Sequence, residues 1–149
     1  DLLITGNNDN KFSLYDLNTG KLKAKYPGGL IQIDHIMTDP AEEFVFVIAD
    51  LPKTNLLFKL PAMERAWPQT LHDKRVGARV ACVHPSGRYI ATSNSLSTVG
   101  LIDLQTGELN EEAINTSDYT SVMIFSNDGK FLIIGGVDAH VIDVTKYIG

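Results

Sequence analysis

This sequence predicts an all-β fold of repeated, four-stranded antiparallel units, and three observations carry that prediction. Short apolar strands recur at a near-constant interval, turn chemistry separates them, and helix signals are nearly absent. The recurring strands are Leu2-Leu3-Ile4-Thr5-Gly6, Val45-Phe46-Val47-Ile48-Ala49, Tyr89-Ile90-Ala91-Thr92-Ser93 and Phe131-Leu132-Ile133-Ile134-Gly135. Their first residues, 2, 45, 89 and 131, lie 43, 44 and 42 residues apart. A polar turn and a second strand follow each one: Phe12 to Leu17, Leu56 to Leu60, Val99 to Leu104, and His140 to Val144. A period of roughly 40–45 residues with four strands per unit is the signature of β-propeller blades.

The unit from His84 to Gly107 shows the grammar most clearly. Pro85-Ser86-Gly87 is a turn, because proline presets φ and glycine reaches backbone angles that other residues avoid. Tyr89 to Ser93 is rich in β-formers, Asn94 to Ser97 is polar enough to break it, and Gln105-Thr106-Gly107 closes the strand that follows. Leading strands precede each unit: Ile33 to Thr38 before Asp39-Pro40-Ala41-Glu42-Glu43, Val80 to His84, and Thr120 to Ser126 before Asn127-Asp128-Gly129-Lys130. Outer strands follow at Lys21 to Tyr26, Met63 to Trp67 and Glu108 to Ile114. They are more charged, as edge strands need to be. Glu111-Glu112-Ala113 has helical propensity but stands where an outer strand belongs.

One β-propeller segment therefore spans 1–149. Its blades are 1–27, lacking a first strand, then 28–71, 72–117, and 118–149, lacking a last strand. Such a segment is an incomplete ring with open edges and apolar faces. The expected completion is a longer chain, with self-association or a partner as the alternatives.

Bulk composition narrows the partners. The chain has 149 residues, 44% hydrophobic and 21% charged, with a net charge of −5. Lysine and arginine are scattered without a basic run, which argues against direct nucleic-acid binding. No apolar run approaches the ~18 residues of a membrane span, so membrane insertion is not expected. Cys82 is alone, so no internal disulfide framework exists,. This fits an intracellular, cytoplasmic or nuclear location.

Gly6-Asn7-Asn8-Asp9-Asn10-Lys11-Phe12-Ser13-Leu14-Tyr15-Asp16 resembles the WD-repeat pattern of a small-residue strand end, a turn aspartate, a strand and a terminal aromatic-Asp. Ile124 to Phe131 resembles that family's turn between first and second strands. Gly136-Val137-Asp138 with Val141-Ile142-Asp143 repeats the turn and closing aspartates. Ser93-Asn94 and Val99 to Gly107 are equally similar to the YVTN-type propeller repeat. The departures are several. Tyr15, Phe58, Ile102 and Ile142 replace the tryptophan of Trp-Asp, Lys59 stands where an aspartate belongs, and the Gly-His pair is missing. The resemblance implies that Asp9 and Asp138 are surviving members of the family's buried hydrogen-bond set, accepting turn N–H groups.

Candidate chemistry is sparse. His35, His72, His84 and His140 lack the i, i+4 or cysteine-paired spacing of a metal site. His35 lies near the axis, and His84, ahead of Pro85 in a turn, is expected to be exposed. Cys82, within Val80-Ala81-Cys82-Val83, reads as a small buried hydrophobe. Asp39, Glu42 and Glu43, and Glu108, Glu111 and Glu112, read as solvated faces rather than acid–base pairs. No phosphate-binding glycine pattern or serine-hydrolase elbow is present. Asn115-Thr116-Ser117 is a glycosylation sequon that matters only in a secretory compartment.

The resemblance implies a non-catalytic scaffold for protein–protein interaction, without a cofactor. Its partners would be other proteins or the remaining blades. Contact residues are expected on the loops that lead into each first strand, with Arg75, Arg79, Tyr119 and Trp67 as anchors. The alternative is a propeller enzyme or a haem- or metal-binding propeller with a site on the central axis.

Overall fold

A computed structural model describes residues 2–6, 11–26, 32–51, 54–66, 80–93, 98–116 and 119–148. They form fourteen strands in four antiparallel sheets and, among the described residues, no helix. The first sheet is β1 (Leu2–Gly6), β2 (Phe12–Asp16) and β3 (Leu22–Lys25). The second is β4 (Gln32–Thr38), β5 (Phe44–Leu51), β6 (Thr54–Lys59) and β7 (Glu64–Arg65). β8 (Ala81–Val83), β9 (Tyr89–Ser93), β10 (Thr98–Asp103) and β11 (Leu109–Asn115) make the third. The fourth is β12 (Val122–Phe125), β13 (Phe131–Gly135) and β14 (Ala139–Asp143). Within every sheet, chain neighbours pair in order.

Side chains alternate between the two faces of a strand, and here both faces of the middle sheets are apolar. In the second sheet the cross-strand pair Val45–Phe58 packs on Phe12 and Leu14 of the first. The adjacent pair, Phe46–Leu57, turns the other way and packs on Ile90, Ile102 and Leu104 of the third. Ala91 and Leu101 in turn meet Leu132 and Ile134 of the fourth. The sheets therefore stack face to face in chain order. This is why Phe44 to Ala49 is continuously apolar rather than alternating,.

Two kinds of turn recur. Between the first two strands of the last three sheets, the amides of Glu42, Gly87 and Gly129 donate to the carbonyls of Asp39, His84 and Ser126. Those three donors have φ of 55°, 72° and 72°. In the turn after β2, β6 and β10, the amides of Gly20, Met63 and Gly107 donate to Asp16, Lys59 and Asp103, with φ of 67°, 58° and 73°. The second sheet thus carries glutamate and methionine where its neighbours carry glycine. Left-handed backbone costs a non-glycine residue roughly 1 kcal/mol. Glu42→Gly should therefore raise stability by about 0.5 kcal/mol, net of the glycine's added unfolded-state entropy. Met63 packs against the first core cluster, so Met63→Gly should lower stability despite the same φ. Urea midpoints of the two variants check both signs.

The amides of Leu60, Leu104 and Val144 donate to the carbonyls of Glu43, Arg88 and Lys130 at 2.8, 2.7 and 2.9 Å. Those bonds tie the two kinds of turn together at one end of the stack, leaving the opposite end to the other connections.

Candidate interaction surface

At the turn end, charge is spent on holding the backbone. Asp16 accepts the amides of Asn18 and Thr19, and Asp103 those of Gln105 and Thr106. Asp143 accepts the amide and hydroxyl of Thr145. The Asp-Leu-x-Thr-Gly pattern at Asp16 and Asp103 was the available sign of this device.

All three carboxyls sit below their usual range. The Lys23 contact leads for Asp16, and Thr145 for Asp143. At Asp103 partial burial pushes upward, but the Gln105 amide, Arg88 and the Thr106 amide together outweigh it. Asp128 is also lowered, first by Ser126. A carboxyl depressed in the folded state stabilises above its unfolded pKa, and that stability is lost as pH falls through the folded value. The melting temperature should therefore fall as pH drops through the carboxylate range near 3.8 and below. Asp103→Asn should melt lower at pH 7 and lose less on acidification. A thermal melt series from pH 7 to pH 3 on both proteins reads this difference.

Two positions depart from expectation. Asp39 is not a solvated carboxylate: it is 5% exposed and accepts the amides of Ala41, Glu43 and Phe44. His84 is not exposed but 8% accessible. The Ser86 amide can only donate, so Nδ1 accepts from it at 3.1 Å. Nε2 then carries the proton and donates to the Gly129 carbonyl at 2.9 Å. The ring also meets Phe125 edge-on, with centroids 4.9 Å apart. His84 is thus a joint between the third and fourth sheets.

Reactive chemistry finds little footing. Among the described residues no group of three histidine, cysteine, aspartate or glutamate side chains could hold a metal. His35 is exposed on β4, His140 is half-buried on β14, and His72 lies outside the described residues. Burial pushes the Cys82 thiol up to about 12, with a Phe125 backbone contact offsetting part of the shift. Such a thiol is neutral and a poor nucleophile. No helix among the described residues is long and apolar enough to cross a membrane.

Of the contact residues expected from sequence, Trp67, Arg75 and Arg79 lie outside the described residues, as does Asp9. Tyr119 is exposed at the end opposite the turns just described. Its carbonyl lies so close to Gly136 that a Cβ there has no room. Asp138 is exposed in the same β13–β14 turn, and its carbonyl accepts the Gly136 amide at 3.0 Å. Next to Gly136, Val137 is 82% exposed. This closely packed stretch of backbone presents an aromatic and an aliphatic side chain to solvent. Val137 was missed in sequence, although an apolar residue between Gly136 and Asp138 in a turn was its signal.

The fourth sheet adds a second exposed apolar surface. Val122, Ile124, Ile133 and Val141 share one face, and all are exposed. No protein-family model matches this chain, and no curated protein matches it in sequence.

Proposed function

We propose that the chain is a β-propeller segment of WD-repeat or YVTN type, its four sheets serving as blades. In this reading it acts as a non-catalytic scaffold that binds other proteins. Support for the architecture comes from four sheets of three, four, four and three strands, repeated turns and face-to-face stacking in chain order. Binding rests on one observation above all: Tyr119 and Val137 are both exposed where the Tyr119 carbonyl closely approaches Gly136. An exposed tyrosine is the kind of anchor that carries interface energy. The depressed turn carboxylates and neutral Cys82 are accounted for by structure, and neither needs a reaction to explain it.

Affinity capture from a native extract with wild type and Tyr119→Ala/Val137→Ser tests the reading. Proteins retained by wild type and lost by the variant, at unchanged melting temperature, support it. Identical capture by both removes this end as the binding surface. Stoichiometric metal, or absorbance above ~350 nm in the purified protein, would replace the scaffold with a cofactor-carrying propeller.

A further inference from the structure

The fourth sheet distributes its charge unevenly. Lys130 and Lys146 are the only lysines or arginines between residues 119 and 148. Both stand at the turn end: Lys130 follows Gly129 and lies 3.9 Å from Asp128, and Lys146 follows β14. Asp138 stands at the other end, in the β13–β14 turn. At ~3.3 Å per residue, the five residues of β14 put roughly 17 Å between the two ends,. That exceeds the Debye length of about 8 Å at physiological salt, so the lysines do little to offset Asp138.

The carboxylate of Asp138 also differs in its use. Asp16, Asp39, Asp103, Asp128 and Asp143 each accept backbone amides. Asp138 is exposed, and among the described residues its carboxylate accepts no hydrogen bond and joins no ion pair. Only its backbone carbonyl is engaged, by the Gly136 amide. The Tyr119 carbonyl closes on that same Gly136. The fold thereby displays an exposed tyrosine beside the segment that carries Val137 and Asp138. An aromatic ring, an aliphatic side chain and an uncommitted carboxylate share one exposed corner.

From this we infer that the partner bound at this corner presents an arginine, carried on a basic loop or extended segment. The inference rests on the scaffold reading above and names the chemistry of its partner. A guanidinium suits all three groups. Its plane stacks on an aromatic face, its fork pairs with a carboxylate, and its methylene stem packs on apolar surface. Lysine brings the charge without the plane or the fork. The net charge of −5 favours a basic partner at longer range as well,. The same carboxylate repels phosphate, which argues against nucleic acid or anionic lipid here.

Amide chemical shifts of the full chain are the test, titrated with acetyl-Gly-Gly-Arg-Gly-Gly-amide and its lysine and glutamate counterparts. The arginine peptide should shift the amides of Tyr119, Gly136, Val137 and Asp138 saturably. The lysine peptide should bind at least about twofold more weakly, and the glutamate peptide should leave these amides in place. Asp138→Asn should weaken the arginine peptide about two- to fivefold, as loss of an exposed ion pair does. Tyr119→Leu should weaken it by a similar factor, about two- to fivefold, through loss of the ring. Unchanged melting, and unchanged shifts elsewhere in the spectrum, establish that the variants fold. Absence of saturable shifts at these amides overturns the inference, as does equal binding by Asp138→Asn or of the glutamate peptide. Capture that needs Tyr119 and Val137 but is the same for Asp138→Asn leaves the surface standing and its partner not basic. Capture indifferent to Tyr119 and Val137 removes the binding surface itself, and this inference with it.

Discussion

Phe58→Ala should cost about 3–5 kcal/mol of unfolding free energy, the range for truncating a fully buried phenylalanine without collapse of the site. The ring is 1% exposed and belongs to the core between the first two sheets. It meets Phe12 and Tyr26 edge-on at centroid distances of 5.1 and 5.2 Å, while those two stack on each other at 4.8 Å. Truncation therefore removes two edge-to-face contacts as well as apolar burial, and aromatic pairs add roughly 0.5–1.5 kcal/mol beyond area. The surrounding residues cannot close the gap easily, because Phe12 lies on β2 and Tyr26, just past β3, donates its amide to the Phe12 carbonyl. Leu22→Ala is the comparison: Leu22 is exposed on β3, and its loss should fall within about 0.5 kcal/mol. Urea unfolding of both variants gives the two numbers. If the midpoints match, Phe58 does not cement the first two sheets.

Much of this architecture was legible because it is local. Strand positions follow from apolar runs punctuated by proline, glycine and asparagine, and those signals lie within a few residues of their effect. Tyr89–Ser93 and Phe131–Gly135 run between the same residues in sequence and structure. The outer strand expected over Met63 to Trp67 shows why boundaries blur. Met63 has positive φ and belongs to the turn, so β7 keeps only Glu64 and Arg65.

Contacts that join one sheet to the next were not legible. Nothing near His84 in the chain announces that its ring reaches the Gly129 carbonyl 45 residues on. A histidine before proline reads as turn surface, and only the stacking of the sheets makes it interior. The two faces of Phe44 to Ala49 pose the same problem. A run apolar on both sides says that both are buried, but not which neighbour each one meets. The exposed pair Ile133–Val141 resembles the buried pair Phe46–Leu57 for that reason.

Gly129→Ala should cost about 2–4 kcal/mol for a single methyl, because two separate penalties fall on one atom. The first is conformational: at φ of 72° an alanine is in the left-handed region, worth roughly 1 kcal/mol or more,. The second is steric, since a Cβ at this position overlaps the His84 ring. That ring cannot move aside without breaking its bonds to Ser86 and the Gly129 carbonyl and leaving Phe125. A ring displaced with a buried nitrogen unbonded adds roughly 1–3 kcal/mol. Gly20→Ala separates the two effects, because Gly20 has φ of 67° with no atom near its Cβ position; it should cost only about 1 kcal/mol. In a His84→Ala background the overlap disappears, so Gly129→Ala should fall towards the Gly20→Ala value. The resulting coupling energy of at least about 1 kcal/mol in a double-mutant cycle would be the direct measure of the joint. Additive effects would mean that His84 and Gly129 merely lie side by side, and the third and fourth sheets would then be held by their apolar core alone.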